Sequence, residues 1–244
     1  MELSKRLQAV ADLLSEGLKV ADIGCDHGFL SIYLIEQGKA PWCLAMDVNE
    51  GPLCRAREHI RDRGLSTYIE TRLSDGAKEI RFLCDETGNK KPETEAAVLA
   101  GMGGRLMMKI IADNLDKFVA MEEFILQPQS EIAQVRAYIR FIGHRIVEED
   151  MVLEDGKFYP IMKIKKGSEP EASQEERRLF DRYGRILLEK KHPVLFRFLE
   201  REKELYGQIL EGLAEQTTDK SKLRRQEIEE ILSGTKQGLD WFKE

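Results

Sequence analysis

The feature that most constrains the fold is an apolar segment that ends in an acid and two glycines, at residues 20–30 (VADIGCDHGFL). It predicts a buried strand, a tight turn at Gly24 and a helix that begins after Gly28, close to a ligand. A second apolar segment, residues 42–46, ends in Asp47, where a carboxylate can accept hydrogen bonds from both ribose hydroxyls. The loop alone would also suit a plain strand-turn-helix connection, but the two segments together predict a nucleotide-cofactor site.

The spacing of the glycines distinguishes between two kinds of cofactor. A dinucleotide fold needs Gly-x-Gly-x-x-Gly so that a pyrophosphate can rest on bare backbone. Here Asp26 stands two residues after Gly24, and its carboxylate would repel a pyrophosphate. S-adenosyl-L-methionine has no phosphate and carries a cationic amino group and sulfonium, so acids around its loop are favourable. The sequence therefore predicts a methyl-donor site and disfavours NAD and FAD.

Composition places bounds on the other functional classes. The 244 residues suffice for one α/β domain and a smaller appendage, and no run approaches the ~20 apolar residues of a membrane helix. Without a signal-peptide pattern, a cytoplasmic protein is expected. The four cysteines and four histidines are scattered, which predicts neither a metal site nor a disulfide framework. The net charge of -6 does not indicate nucleic-acid binding, although basic residues cluster over residues 177–201.

Strands and helices alternate through the first two thirds of the chain, which favours a parallel sheet. Ligands of such sheets bind beyond the carboxyl ends of the strands. A hairpin around Asp155 and Gly156 is expected to end the sheet, as is typical of methyltransferase folds. The predicted strands are 19–21, 42–46, 68–72, 96–100, 123–126 and the hairpin 145–154 with 158–165; the predicted helices are 3–14, 29–37, 51–63, a short one after Gly76, and 132–142.

A polar linker at residues 166–171 separates this part from a segment that is helical throughout. Two apolar stripes, from Leu195 to Leu213 and from Leu223 to Phe242, are joined by a predicted turn at residues 217–219. Matching stripes with a short connection predict an antiparallel helical hairpin. We therefore expect a cofactor-binding catalytic domain at residues 1–166 and an accessory helical domain at 167–244.

Six segments are similar to the bacterial tRNA (adenine-22-N1)-methyltransferases. The resemblance implies a Rossmann-like class I methyltransferase sheet with a C-terminal antiparallel, coiled-coil-like helical domain. It also implies methyl transfer from S-adenosyl-L-methionine to N1 of an adenine in tRNA. It covers residues 1 to about 165 closely, and the rest more by layout than by residues. For the helical domain at 167–244 it implies a tRNA-contacting or accessory role. The segments are 3–7 (LSKRL), 21–27 (ADIGCDH), 75–76 (DG), 100–104 (AGMGG), 125–128 (ILQP) and 154–157 (EDGK).

The resemblance assigns residues to the cofactor and to the reaction. The methionine half of the cofactor would be held by Asp22, Gly24 and Asp26, the ribose by Asp47 with Val48, and the adenine by Asp75 with Gly76; the catalytic side would consist of Asp26, His27, Gly101 and Met102. Asp26 is the main catalytic candidate, since a carboxylate can stabilise the cationic product. Asp26 could instead be a helix cap or only bind the donor, and His27 could simply satisfy loop carbonyls.

The target base must leave its stack to reach such a pocket, and Phe29 is placed to stack on it. Lys5, Arg6 and Arg105 are candidate phosphate contacts near the mouth. Gln127 and Gln129 are candidate amide contacts to the RNA, with Gln129 standing where the family has Asn. Each has a plainer interpretation, as core packing for Phe29 and as solvent-facing charge for the cations.

Three other functions stay open from the sequence. A small-molecule methyltransferase would use the helical hairpin as a lid or a dimer surface. A non-catalytic scaffold would bind the cofactor and recruit a protein. A dehydrogenase is disfavoured by the missing middle glycine. The sequence leaves the oligomeric state open, with a monomer favoured.

Overall fold

The computed structural model describes residues 2–84, 88–213 and 218–243, and the chain forms two compact units, Met1–Pro170 and Glu171–Glu244. The first unit contains a seven-stranded sheet in the order β3-β2-β1-β6-β7-β9-β8. Its elements are α1 (Lys5–Leu13), β1 (Val20–Ile23), α2 (Phe29–Glu36), β2 (Cys43–Asp47), α3 (Glu50–Asp62), β3 (Ile69–Leu73), β4 (Phe82–Cys84), β5 (Lys90–Pro92), β6 (Ala96–Met102), α4 (Gly104–Asp113), α5 (Leu115–Ala120), β7 (Glu123–Pro128), α6 (Ile132–Phe141), β8 (His144–Glu154) and β9 (Lys157–Lys166).

The sheet is parallel from β3 to β7 and ends in the antiparallel β8–β9 hairpin, as predicted. The central strands β1 and β2 are buried along their whole length, because helices cover both faces of the sheet. One apolar core contains residues of α1, α2 and α3, and the other contains residues of α4, α5 and α6. The Rossmann-like fold expected from the sequence is confirmed.

The structure differs locally from the prediction, which assigned no helix between β6 and β7, where α4 and α5 lie. The short helix expected after Gly76 is a series of turns, because side chains take the groups that a helix would pair. Ser74 Oγ donates to the Gly76 carbonyl and accepts from the Glu79 amide, while Lys117 Nζ donates to the carbonyls of Ala77 and Lys78. The small antiparallel β4–β5 sheet was not predicted, since β4 is exposed along its length and has no apolar alternation.

The second unit is helical, as predicted, with α7 (Gln174–Tyr183), α8 (Arg185–Glu189), α9 (Pro193–Gly212) and α10 (Asp219–Asp240). Helices α9 and α10 are antiparallel: Leu199 of α9 packs on Gly238 of α10, whereas Leu213, after α9, accepts a hydrogen bond from Arg225. Leu205 and Leu223, placed in the apolar stripes, are 50% and 60% exposed and lie outside the seam. The predicted turn begins at residue 217, and residues 214–217 lie outside the described residues.

Within the described ranges, no helix has both the length and the apolar composition needed to cross a bilayer. The same ranges contain no group of three or more His, Cys, Asp or Glu side chains arranged to hold a metal ion.

Candidate active site

A cavity of about 500 Å³ lies at the carboxyl ends of β1, β2, β3 and β6. Its volume is in the range of small-molecule sites. Four aspartates line it, at positions 22, 26, 47 and 75, and Arg6 is the one Lys or Arg side chain among its described lining residues. The cavity is therefore acidic and suits a ligand with cationic groups better than a pyrophosphate.

Asp22 stands near the end of β1 and is 5% exposed. Its Oδ2 accepts a hydrogen bond from Ser31 Oγ at 2.7 Å. Burial raises the pKa of this carboxyl to about 6, against the lowering effect of Ser31, and the nearby Asp47 contributes in the same direction as burial. A cationic ligand beside Asp22 would reverse this effect and favour the ionised form.

The glycine loop after β1 brings its backbone close to the opposite wall. Gly24 has φ of +78°, and a methyl group added there would lie 2.2 Å from Met102 Cε. Gly28 also has positive φ, but its Cα faces helix α3, where an added methyl would lie 3.1 Å from Ala56 Cβ. Gly28 therefore allows α2 and α3 to pack closely, whereas the sequence analysis expected it to bring the helix close to a ligand.

Asp47, at the end of β2, ties two loops together. One oxygen accepts from the Asn49 amide at 2.8 Å and the other from the Asp26 amide at 3.3 Å. Val48 is 58% exposed and lines the cavity beside it. Each Asp47 oxygen keeps a second lone pair, so the carboxylate can still accept hydrogen bonds from a ligand.

The loop after β3 carries Asp75 and Gly76 at the cavity wall. Asp75 pairs with Lys78 at 2.5 Å, and this pair lowers the pKa of the Asp75 carboxyl. The buried Lys117 and the Ser74 hydroxyl hold the carbonyls of this loop. The loop is therefore fixed before any ligand arrives.

The opposite side of the cavity is formed by the end of β6. Gly101 has φ of +76° and its amide donates to Gln127 Oε1 at 3.0 Å. Met102 lines the cavity, and the register of β6 against β7 shifts between Ala100 and Met102. At Gly104 a side chain would meet the Ser130 carbonyl at 2.4 Å, so the start of α4 can lie against the β7–α6 loop only as glycine.

Asp26 and His27 lie at the open side. Asp26 has φ of +50°, and its side chain is 71% exposed, with Oδ1 3.5 Å from His27 Nε2. The Phe29 ring stacks on the rings of His27 and His59, which are tilted by 35° to each other, and the three centroids lie 5.2–5.9 Å apart. His59 Nδ1 lies 3.1 Å from the His27 carbonyl and donates to it, because a carbonyl can only accept. The structure thus joins an exposed carboxylate and an aromatic surface at one side of the cavity.

The predicted RNA contacts are scattered. Arg6 and Gln129 line the cavity, whereas Lys5 and Arg105 do not, and the Arg105 side chain is 86% exposed beside Glu131. Gln127 is fully buried, and its Oε1 accepts from both Arg6 Nη1 and the Gly101 amide. A direct RNA contact for Gln127 conflicts with this burial. No sequence pattern reveals that it bridges two segments distant in the chain.

Several lining residues were not singled out from the sequence. Asn49 and Ser74 directly follow strand ends, and that position is a signal that could have indicated them. Leu106 and Ile110 line the cavity from α4 without such a signal. Cys25 also lines it, but burial, together with Asp22 and Asp47, raises the pKa of its thiol. This keeps the thiol protonated and a poor nucleophile.

These residues fit S-adenosyl-L-methionine. Four carboxylates suit its two cationic groups, and the glycine turn exposes backbone at the end of β1. The sheet order with its antiparallel end, and an acidic cavity at the switch point, define a class I methyltransferase.

Comparison with known proteins then identifies the family. The family model described as tRNA (adenine(22)-N(1))-methyltransferase matches residues 20–236. The chain belongs to this family. It is 34% identical over 167 residues to the tRNA (adenine(22)-N(1))-methyltransferase of Bacillus subtilis, a match that covers 68% of this chain and 66%, just under two thirds, of that relative.

Solved structures agree along nearly the whole chain. Streptococcus pneumoniae Sp1610 in complex with S-adenosyl-L-methionine has a TM-score of 0.81 and 30% identity, with 98% of this chain and 100% of that chain covered. The Bacillus subtilis M1A22 tRNA methyltransferase has a TM-score of 0.81 and 27% identity, with 97% and 98% covered.

Proposed function

We propose that the protein transfers a methyl group from S-adenosyl-L-methionine to N1 of adenine 22 in tRNA. The observation that carries this proposal is an acid-lined cavity at the carboxyl ends of the strands, in a chain that belongs to this methyltransferase family. The tRNA substrate favours the cytoplasm as the place of action. We keep a monomer as the expected oligomeric state, which sedimentation equilibrium would test.

The cofactor would lie along the cavity in three parts. Asp22, Gly24 and Asp26 would face its methionine half, where carboxylates attract the ammonium and sulfonium. Asp47 would accept from the ribose hydroxyls, with Val48 beside the ring system. The pre-fixed loop of Asp75 and Gly76 would meet the adenine.

The reaction requires little acid-base catalysis from the protein. When bound, S-adenosyl-L-methionine supplies an electrophilic methyl group on a cationic sulfur. Adenine N1 carries an in-plane lone pair, so it needs no deprotonation before attack. The loop from Gly101 to Gly104 and Met102 would align the base, and most of the acceleration would come from this alignment and from the exclusion of water.

The open side of the cavity would receive the base. Phe29 is 38% exposed and stacked against His27 and His59, which makes it an apolar surface for an extruded adenine. The Asp26 carboxylate would stabilise the positive charge that the adenine ring gains on methylation. Its exposure supports this role, because a carboxylate that only caps a helix would have its oxygens on backbone amides.

The helical unit, residues 171–244, would bind tRNA through its basic residues. Arg178, in the basic segment 177–201, lines a groove of about 900 Å³ within this unit, where Arg182 and Arg224 are paired with glutamates. Phosphate contacts of this kind would give affinity that falls with salt.

Methyl transfer to defined transcripts tests the proposal. Radiolabelled methyl should pass from S-adenosyl-L-methionine to an unmodified tRNA with adenine at position 22 and not to the same tRNA with guanine there. Because N1 methylation blocks Watson-Crick pairing, a reverse-transcription stop should map to position 22. A chain that binds the cofactor but methylates only small molecules, or nothing, would refute the proposal.

Asp26→Asn tests the catalytic side. Asn tolerates positive φ, so the backbone should persist while the charge is lost. We expect kcat to fall about 10- to 1000-fold, in the range of a lost charge-stabilising group. Asp155→Asn is the matched control, since Asp155 has nearly the same φ, +49°, but lies at the turn of the β8–β9 hairpin. If both variants keep wild-type kcat, Asp26 has no catalytic role.

A further inference from the structure

The Arg6 guanidinium has no counter-charge among the described residues. Arg6 is half-buried at the cavity wall, yet among the residues that the structure describes no Asp or Glu oxygen lies within 4.0 Å of its guanidinium. Four aspartates line the same cavity without pairing with it. A half-buried cation without an ion-pair partner is costly unless an anion joins it.

Three contacts hold Arg6 in this position. Its Nη1 donates to Gln127 Oε1 at 2.9 Å, and its guanidinium carbon lies 5.7 Å from the centroid of the Tyr159 ring. Glu154 accepts from the amides of Lys5 and Arg6 at 2.7 and 3.4 Å, which fixes the first turn of α1. The guanidinium itself contacts two neutral groups, Gln127 and Tyr159, while Glu154 binds only the backbone of Arg6. Within the described part of the chain its charge thus has no carboxylate partner.

Gln127 connects this arginine to the catalytic side of the cavity. The same Oε1 that accepts from Arg6 also accepts from the Gly101 amide. A methyl group added at Gly101 would lie 3.3 Å from Arg6 Nη1, so the guanidinium lies directly against this loop. The side chain therefore faces the inside of the cofactor cavity.

We propose that Arg6 binds the carboxylate of the methionine half of S-adenosyl-L-methionine, with Gln127 and Glu154 as positioning residues. This inference rests on the proposed function and deepens it. The cofactor carries one carboxylate among two cationic groups, and the described cavity wall offers one guanidinium among four carboxylates. A guanidinium held in place can bind a carboxylate with two parallel hydrogen bonds.

An RNA phosphate is the competing anion, and the geometry favours the carboxylate. Phosphates of a bound tRNA run over the protein surface, where flexible exposed cations reach them. Arg6 is instead half-buried and is held by a fully buried glutamine. Lys5, next to it in the chain, is exposed and does not line the cavity.

Calorimetric titration with two ligands that differ only in the carboxylate tests the proposal. The ligands are S-adenosyl-L-methionine and decarboxylated S-adenosylmethionine, and the proteins are the wild type, Arg6→Met and Arg6→Lys. We expect Arg6→Met to weaken the binding of S-adenosyl-L-methionine about 10- to 100-fold, as for a lost hydrogen bond to a charged group. The affinity for the decarboxylated ligand should change less than about twofold. For the full cofactor, the affinity of Arg6→Lys should lie between those of wild type and Arg6→Met.

Lys157→Met is the matched control. Lys157 pairs with Glu154 in the β8–β9 register and is exposed, so its loss removes a nearby positive charge without touching the cavity. Both affinities should stay within about twofold in this variant, and circular dichroism should show that all variants are folded. Gln127→Leu should weaken the full cofactor more than the decarboxylated one if it positions Arg6.

The outcomes separate the inference from the proposed function. An equal loss for both ligands in Arg6→Met would make Arg6 merely structural and would overturn the proposal. Unchanged cofactor affinity with a raised, salt-dependent KM for tRNA would overturn it in favour of an RNA phosphate. Failure of the wild type to methylate tRNA, with the cofactor selectivity of Arg6 intact, would refute the tRNA activity alone.

Discussion

Replacing Asp22 with asparagine should stabilise the ligand-free protein while it weakens the cofactor site. Asp22 is 5% exposed, and burial raises its pKa from 3.8 to about 6. Because one pKa unit corresponds to about 1.4 kcal/mol, ionised Asp22 costs the folded state about 3 kcal/mol at pH 7. Asn removes that cost and can still accept from Ser31 Oγ through its amide oxygen.

The effect should depend on pH in a defined direction. The pKa of Asp22 is higher in the folded state than in the unfolded state. Its contribution to the stability of the fold is therefore fully present below pH about 4 and is lost as the pH rises through about 6. We therefore expect Asp22→Asn to raise the free energy of unfolding by about 2–3 kcal/mol at pH 7 and by less than about 1 kcal/mol at pH 4.

Urea titration followed by tryptophan fluorescence measures this difference. The chain has two tryptophans, Trp42 in the first unit and Trp241 in the second, so a Trp241→Phe background lets Trp42 report on the first unit alone. Asp26→Asn is the control, since that carboxylate is 71% exposed. A stabilisation by Asp22→Asn that is the same at pH 4 and pH 7, or no stabilisation at all, would refute the reasoning.

Two further predictions concern other parts of the first unit. Glu123 accepts from the amide and hydroxyl of Ser15 and pairs with Lys163 and Lys165, and although burial acts to raise its pKa, these contacts together lower it. Glu123→Gln should therefore lower the free energy of unfolding by roughly 2–4 kcal/mol at pH 7 in the same urea assay. This loss of stability should shrink as the pH falls below 4.5, because the wild-type carboxylate is then protonated. A loss that does not depend on pH would contradict the reasoning. Phe29→Ala should raise the KM for tRNA about 5- to 100-fold in steady-state methyl transfer, as for one lost stacking contact. Phe29→Tyr keeps an aromatic ring and should retain the wild-type KM. An unchanged KM in Phe29→Ala would exclude stacking on the base.

The parallel part of the sheet could be predicted because strands buried on both faces have continuous apolar sequences. The strands β1 and β2 are continuous apolar runs, and each ends in a loop whose acid faces the cavity. The sequence also predicted the terminal hairpin from Asp155 and Gly156, which do form its turn with positive φ. Patterns that arise from burial or from backbone conformation can thus be recognised without a structure.

Contacts between distant side chains could not be predicted in this way. The bond from Arg6 to Gln127 joins residues 121 positions apart, and neither residue belongs to a pattern that indicates the other. The sequence consequently assigned both to RNA, whereas the structure places Gln127 inside the protein. Lys117 is a similar case: its periodicity fits an ordinary helix, but its ammonium is buried against the loop that carries Asp75.

The acids of the cavity explain why the site and the stability of the fold oppose each other. Asp22 is ionised at neutral pH only at a cost, because no cation of the protein pairs with it among the described residues. A bound cofactor would place its cationic groups in the same cavity and remove much of that cost. At a concentration one hundred times its Kd, the ligand would stabilise the wild type by about 2.7 kcal/mol, close to the cost of ionising Asp22. Cofactor at this concentration should therefore bring the stability of wild type level with that of an Asp22→Asn variant that no longer binds it, which links the burial of one carboxylate to the affinity of the site.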